Sequence, residues 1–473
     1  MKQFLVYDLD DNDVVIMRNR LFGTDGVRGV VNETLTPDFI LRLALAIGDY
    51  FPPGSRILVG NDARAGNEYI VKVVTGALIA SGLKVYYAGA LPTPALQFNV
   101  KERGFDGGVM ITASHNPPQY SGVKVIMADG VEAPRDVEER IEEAFFSGRY
   151  RRVPWHAFRD QYFKLSDSVE YYVEGVVKKV DSERIRRRGF RVVADCANSV
   201  GALTTPRILR RLGVKVLSVN AHLSPIPYRE PEPVPENLTD TSEIVRAIGA
   251  DFGVAHDGDA DRAIFIDDTG RVIPGDRSAA LLCRHIVVNR GDNAPRRVVT
   301  AVSSSTIIED VLKDLGVEVY WTKVGSVGIA RTMMKIGALA GFEENGGFMY
   351  PPHQYVRDGG MALALMLEYL SYEGRKLSDI INELPSAHLI KTKVPLSDKG
   401  KAIEIIEEIK RRYSSLRIID IDGVKGIGED FWFLVRPSGT EPVLRIFVEC
   451  RSEDKAEKLL NDILSIVKEV VGG

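Results

Sequence analysis

The apolar positions of this chain change period in a regular way. A short continuous apolar run gives way to helical spacing, a glycine follows, and a strand-like run resumes; the cycle occurs three times. The first begins at Arg56-Ile-Leu-Val-Gly-Asn-Asp-Ala-Arg64 and passes through a helix to Ala80-Ser-Gly-Leu-Lys-Val-Tyr-Tyr87, where Gly82 closes the helix. It then reaches a third strand from Gly108 to Thr112. The second runs from Arg191-Val-Val-Ala-Asp-Cys196 through Leu209-Arg-Arg-Leu-Gly-Val-Lys-Val216 to Ala250-Asp-Phe-Gly-Val-Ala-His-Asp257. The third starts at Arg297-Val-Val-Thr-Ala301, passes Leu312-Lys-Asp-Leu-Gly-Val-Glu-Val319 and ends at Gly337-Ala-Leu-Ala-Gly-Phe-Glu343. Continuous apolar strands joined by helices predict parallel sheets with helical crossovers, which place ligands at the C-terminal ends of their strands. The loops after Thr112, His256 and Phe342 therefore hold equivalent places in three related domains.

Outside the repeat the pattern differs. Ahead of it, Thr36 and Pro37 read as the N-cap and first residue of a helix with Ile40, Leu43, Ala44 and Ile47 on one face, stopped by Pro52-Pro53-Gly54. After Leu384-Pro-Ser-Ala387, strand-like runs at His388–Pro395, Phe431–Arg436 and Leu444–Cys450 mix with amphipathic stretches at Gly400–Tyr413 and Ser452–Val471. This predicts a fourth domain of α+β type. The expected organisation is an N-terminal extension at 1–17, then domains at 18–165, 166–270, 271–385 and 386–473. A prior of about 150 residues per domain agrees with that division.

Composition narrows the class. Hydrophobic content of 45% and charged content of 27% are those of a soluble globular protein, and a net charge of −4 gives no support for a nucleic-acid surface. The basic runs Arg184–Arg188 and Lys410–Arg412 read as solvated helix ends. No apolar run approaches the roughly 18 residues of a membrane span, and the acidic N-terminus, with Asp8, Asp10, Asp11 and Asp13, is unlike a signal peptide. Cys196, Cys283 and Cys450 are too scattered for a metal or disulfide framework, which suits a reducing, cytoplasmic setting.

The chemistry concentrates in the loops. Asp257-Gly-Asp-Ala-Asp-Arg262 sets three carboxylates at alternate positions, a donor set for Mg²⁺ or Ca²⁺. An EF-hand is excluded: Arg262 and Asp268 replace its invariant glycine and closing glutamate, and the flanks are strands. Mg²⁺ takes few protein carboxylates and completes its shell with water or phosphate oxygens, so a phosphoryl group is the expected partner. Ser114, in Thr-Ala-Ser-His-Asn-Pro117, stands in the equivalent loop of the first repeat. Taken alone it reads as a turn serine; with a metal loop in register it becomes a candidate phosphoryl carrier. Glu343-Glu-Asn-Gly-Gly347 reads equally as a polar turn or as a sugar-hydroxyl site. Lys323, before another glycine turn, and Arg28, after a Gly-rich turn, are candidate cations. Arg436-Pro-Ser-Gly-Thr-Glu-Pro442 combines a guanidinium, hydroxyls and glycine N–H groups, a phosphate-binding set without the P-loop lysine. ATP and NAD are not indicated.

Taken in order, these four loops resemble those of the α-D-phosphohexomutase family, with the likeness running from Phe22 to the C-terminal domain. The resemblance implies three related α/β/α domains with mixed, largely parallel sheets and a C-terminal α+β domain around a central cleft. It implies that Ser114 is phosphorylated and that Mg²⁺ is held by Asp257, Asp259, Asp261 and the Ser114 phosphate. Arg28, His115, Lys124, Arg262 and Lys323 match positions near phosphoryl transfer, Glu343 and Asn345 the sugar loop, and Arg436, Ser438, Gly439 and Thr440 the phosphate clamp. Phe342 and Gly347 depart from the residues that many members carry there, and the Glu-Glu-Asn-Gly-Gly form is nearer to archaeal members.

The implied activity interconverts hexose 1- and 6-phosphates through phosphoserine and a bisphosphorylated sugar, glucose 1,6-bisphosphate or an analogue. Glucose and mannose phosphates are the first expectation and glucosamine phosphate the alternative. A sugar-phosphate phosphatase is the reading from a different class, against which the second phosphate site at Arg436 argues. The expected partners are small sugar phosphates, with neither nucleic acid nor membrane. Monomer and homo-oligomer are both compatible with the sequence.

Overall fold

The computed structural model describes residues 20–23, 25–159, 161–290, 295–396, 398–438 and 442–472. The N-terminal extension expected at 1–17, and Gly439 and Thr440 of the expected clamp, lie outside them. The chain divides into two compact units. One runs up to Ile273 and includes Gly347–Leu377; the other comprises Pro274–Gly346 and the chain from Ser378 onward.

The first unit holds the first two repeats, and their sheets share one plan. In the first, strands Lys84–Ala90 and Gly107–Ile111 lie parallel on either side of Arg56–Asn61. Tyr120–Met127 and then Val27–Val30 extend the sheet antiparallel, and Tyr162–Lys164 adds a parallel edge beyond Lys84–Ala90. In the second, Lys215–Val219 and Phe252–Ala255 flank Arg191–Asp195 in parallel, followed by antiparallel Ile264–Asp267 and Val272–Ile273. The central residues Leu58, Val59, Val109, Met110 and Ile111 are wholly buried, which is why these strands read as unbroken apolar runs.

Local signals explain the helices. Thr36 accepts from the Phe39 amide at the start of the Pro37–Tyr50 helix, whose Ile40, Leu43, Ala44 and Ile47 are buried as their spacing predicts. Helix Gly359–Glu373 differs: its first twelve residues, Gly359 to Leu370, are all buried, so it lacks an amphipathic signature. It packs on helices Ser182–Arg188 and Gly201–Arg211. Asp358 caps it by accepting from the Met361 amide.

In the second unit, Glu318–Thr322 and Ala340–Phe342 lie parallel on either side of Arg297–Ala301, the same second-first-third order as in the other repeats. The C-terminal domain is a five-stranded antiparallel sheet ordered His388–Pro395, Val443–Cys450, Phe431–Pro437, Val424–Ile427 and Arg417–Ile419. Two of its strands, Arg417–Ile419 and Val424–Ile427, are too short and too polar to stand out in the sequence. Helices Lys399–Arg412 and Glu453–Gly472 supply Ile405, Ile409, Ala456, Ile463 and Val467 to its core. The architecture is thus a four-domain α/β fold with mixed sheets. The two basic runs end helices, and all three cysteines are buried free thiols. Among the described residues no helix is long and apolar enough to cross a membrane.

Candidate active site

Ser114 sits three residues beyond the buried strand Gly107–Ile111, with a left-handed backbone (φ 50°) that a non-glycine residue adopts only under constraint. The constraint is local. Thr112 Oγ1 accepts from the Ser114 amide at 2.8 Å and donates to Asp62 Oδ2 at 2.5 Å. The metal-type loop is the tip of the hairpin between Phe252–Ala255 and Ile264–Asp267, turned by Ala260 at φ 57°. His256 braces its base, bonded to the Thr205 hydroxyl at 2.8 Å and the Arg262 carbonyl at 2.7 Å. The two loops, at equivalent places in the repeat, meet: Ser114 Oγ donates to Asp257 Oδ2 at 2.7 Å.

Asp257, Asp259 and Asp261 are at most 1% exposed, and one donor oxygen from each lies within 4.8 Å of the others. Three cations stand around them. Lys124, opposite Met110 in the sheet, is 3.1 Å from Asp259, 3.8 Å from Asp261 and 3.0 Å from Asp25. Arg357 lies 2.6 Å from Asp261 and 3.4 Å from Asp25. Arg262 Nε is 4.0 Å from Asp257 and 3.9 Å from Asp261. Arg28, on the strand Val27–Val30, pairs with Asp25 and donates to the Asn116 side chain. Thr93 donates to Asp259 at 2.6 Å.

The carboxylates do not titrate alike. Burial, and then Asp259, raise Asp257 to about 6. Burial also raises Asp261 well above the usual range despite Arg357. For Asp259 burial is outweighed by Lys124, the Thr93 hydroxyl and Arg357, which hold it below its ordinary value. Burial would likewise depress Lys124, but Asp25, Asp259 and Asp261 keep it above the ordinary lysine value and charged. His115 is pushed down to about 2, first by burial and then by Arg262 and Arg28, so its ring is neutral. Arg262 Nη2 is 2.9 Å from His115 Nδ1; a guanidinium only donates, so Nδ1 accepts and the ring proton sits on Nε2. Ser114 Oγ also lies 3.4 Å from this Nδ1, but the nitrogen faces Arg262, and the shorter bond from Oγ, at 2.7 Å, goes to Asp257.

The second unit carries the other expected residues. Glu343, at the end of strand Ala340–Phe342, is buried, with Glu344 and Asn345 half-buried after it. Glu344 accepts from the Ser303 hydroxyl at 2.8 Å and lies 3.7 Å from Lys391. Arg436, near the end of strand Phe431–Pro437, pairs with Asp422 at 3.0 Å, and Ser438 follows it half-buried. Asp422 also accepts from the Val324 amide at 3.1 Å, which ties the turn of exposed Lys323 to the Arg436 loop.

Within the first unit, then, Arg28, Ser114, His115, Lys124, Asp257, Asp259, Asp261 and Arg262 form one cluster. Within the second, the turn of Lys323 is joined to Arg436. Sequence reasoning missed Asp25, Thr93, Arg357 and Asp422. Asp25 lies inside the Gly-rich stretch that drew attention to Arg28, so its signal was at hand. Arg357 precedes a helix cap and carries no motif.

The sequence matches the four successive parts of one family: phosphoglucomutase/phosphomannomutase alpha/beta/alpha domain I over residues 19–152, domain II over 170–270, domain III over 274–388 and the C-terminal domain over 389–466. The chain belongs to the phosphoglucomutase/phosphomannomutase family. A phosphoglucosamine/phosphogalactosamine mutase of Sulfurisphaera tokodaii is 50% identical, over 95% of this chain and 99% of that protein. A phosphoglucomutase/phosphomannomutase of Thermococcus kodakarensis is 40% identical, over 96% and 100%. A phosphoglucomutase/phosphomannomutase family protein from Burkholderia thailandensis shares the fold at 24% identity, with a TM-score of 0.84 over 96% and 98% of the two chains. The protein is accordingly a phosphohexomutase, an isomerase that works by phosphoryl transfer.

Membership of the phosphohexomutase family implies Mg²⁺ and a phosphoserine, and the residues present fit a metal. The triad supplies hard oxygen donors on one tight hairpin, and its buried Asp259 Oδ1 and Asp261 Oδ1 make no hydrogen bond. Buried oxygens without donors are what a cation would satisfy.

Proposed function

We propose that this phosphohexomutase moves a phosphoryl group between positions 1 and 6 of a hexosamine phosphate, with Ser114 as the carrier. The observation that carries the reading is the 2.7 Å bond from Ser114 Oγ to Asp257 within a buried carboxylate triad faced by Lys124. In this reading phospho-Ser114 meets the free hydroxyl of the bound sugar phosphate. The Ser–O–P bond breaks as the sugar O–P bond forms, with the hydroxyl proton ending on Ser114 Oγ. The resulting bisphosphate turns over and returns its other phosphate to Ser114, whose Oγ proton passes to the sugar oxygen released. Lys124, Arg262 and Arg28 offset charge on the transferring group, the principal requirement of phosphoryl transfer. Neutral His115 offers its Nε2–H as a donor. Asp257, Asp259 and Asp261 would hold Mg²⁺, which when bound would supply Lewis-acid polarisation of the phosphoryl oxygens. Glu343 and Asn345 are assigned to the sugar hydroxyls. Arg436, Ser438, Gly439 and Thr440 are assigned to the phosphate that is not transferred, and Lys323 to the group in transfer.

The sequence alone favoured glucose or mannose phosphate. The 50% identity to a phosphoglucosamine/phosphogalactosamine mutase supports amino sugars ahead of them. The 40% identical phosphoglucomutase/phosphomannomutase keeps glucose and mannose as the second reading. The test compares kcat/KM for glucosamine, galactosamine, glucose and mannose 1-phosphates with the Mg²⁺-loaded enzyme, primed by glucose 1,6-bisphosphate or its amino-sugar analogue. Highest kcat/KM on a neutral hexose would overturn the amino-sugar assignment. Turnover by Ser114→Ala would overturn the carrier. Sustained phosphate release without the isomeric sugar phosphate would make the protein a phosphatase.

A further inference from the structure

Behind the Ser114 loop lies an arginine that none of the assignments above uses. Arg64 follows the central strand Arg56–Asn61 of the first repeat, and its side chain is 7% exposed. A guanidinium has five N–H donors in one plane. Here each has an acceptor. Nε bonds Asp62 Oδ2 at 3.2 Å; Nη1 bonds the carbonyls of Pro117 at 2.8 Å and Tyr120 at 3.0 Å; Nη2 bonds those of Ser114 at 2.5 Å and Asn116 at 2.6 Å. The four carbonyls span the whole turn that carries Ser114. Asp62 holds Arg64 from behind, and it also accepts from Thr112, which in turn receives the Ser114 amide. The metal-type loop closes on the same point: a Cβ on Gly258 would lie 2.4 Å from the Ser114 carbonyl and 3.4 Å from Arg64 Nη2.

The second repeat builds the counterpart. Asp195, at the end of its central strand, receives Arg229 Nε at 2.8 Å, and Arg229 Nη2 donates at 2.7 Å to the carbonyl of His256, one residue before Asp257. An Asp–Arg pair thus stands behind each of the two loops that meet at Ser114 Oγ.

We propose that Arg64 is a positioning residue for phosphoryl transfer, its five-point clamp on Asp62 and four loop carbonyls holding Ser114 in its left-handed conformation against the metal carboxylates. The inference rests on Ser114 as the carrier. The strands on either side of the clamp are held by their own buried residues, Leu58, Val59, Val109, Met110 and Ile111, so the clamp orders the loop and not the sheet. A lysine has three donors and no planar fork, so it leaves at least two of the five acceptors unmet.

The test is Arg64→Lys beside Arg64→Ala and Ser114→Ala. For Arg64→Lys, kcat falls about 100-fold, the effect of ångström-scale misplacement of a reacting atom, while KM for the sugar phosphate moves by no more than about threefold. Single-turnover transfer from the bisphosphate to Ser114, followed by intact mass, slows by the same factor. Added guanidinium ion restores part of the kcat of Arg64→Ala, and ammonium does not. An Arg64→Lys enzyme with kcat within about twofold of wild type overturns the proposal. So does one that fails to fold, because Arg64 would then be structural. Ser114→Ala separates the two levels: if it is inactive while Arg64→Lys is fully active, only the clamp inference fails, and if it turns over, the carrier reading fails first.

Discussion

Lys425 is wholly buried, and its Nζ donates to the carbonyls of Val302 at 3.0 Å and Ser304 at 2.5 Å. Two indole faces enclose it, Trp321 at 3.9 Å and Trp432 at 4.1 Å. Two such faces favour the ammonium. Burial works the other way and is the larger effect, drawing the amine from 10.5 down to about 7. A neutral amine has two N–H donors, which matches the two carbonyls. Because the folded pKa is depressed below the unfolded value, protonation favours the unfolded chain, and stability rises with pH from about 7 toward 10. The full shift corresponds to about 5 kcal/mol, of which about 2 kcal/mol is recovered between pH 7 and pH 9. For a unit of this size that is about 5 °C in the melting temperature.

Lys425→Met removes the titrating group and leaves two carbonyls unmet, which sets a constant offset and no slope. Tryptophan emission reads the site directly, since the protein's other tryptophan, Trp155, is 84% exposed and can be quenched with iodide. The expected result is an emission change with a midpoint near pH 7, absent from Lys425→Met. The wild-type melting temperature should also gain on that of the variant between pH 7 and pH 9. Emission that is flat from pH 5.5 to 9, or a titration that persists in Lys425→Met, would refute the reasoning.

Three further outcomes are expected. Asp276 is buried, and burial and then Glu449 raise it to about 6, so the stability it contributes is present below pH 4 and lost as pH rises through 6. Asp276→Asn should raise stability at pH 7 by up to about 3 kcal/mol and flatten the pH 4–6 dependence of thermal unfolding. A Cβ at Gly275 would meet the Gly346 amide nitrogen at 2.4 Å and the Glu344 carbonyl at 2.6 Å. Gly275→Ala should therefore shift the Glu343–Gly347 loop, cost about 1–3 kcal/mol and, on the proposed sugar-binding role of that loop, raise KM more than it lowers kcat, as steady-state kinetics would record. Mg²⁺ at about 100 times its Kd should stabilise the wild type by roughly 3 kcal/mol in thermal unfolding, and chelation or Asp257→Asn should remove that gain.

Much of this protein could be read from its sequence because the relevant signals are local. Strands buried on both faces must be continuously apolar, and crossover helices must return in the same direction, so three repeats of one period already specify three related sheets. Loops at the ends of equivalent strands had to hold equivalent places, which is why Ser114 and Asp257 could be linked before any distance was known. Side chains that serve the site from elsewhere carry no such mark. Arg357 reaches Asp261 from beside a helix whose first twelve residues are all buried, and Arg64 serves Ser114 from fifty positions earlier in the chain. Whether His115 acts as a base or as a neutral donor was equally beyond the sequence, because it depends on burial and on the nitrogen that faces Arg262. Periodicity records which face of an element is buried, and so determines the sheets and their loops. Charge pairing depends on what the fold brings within a few ångströms, and only the tertiary structure decides it.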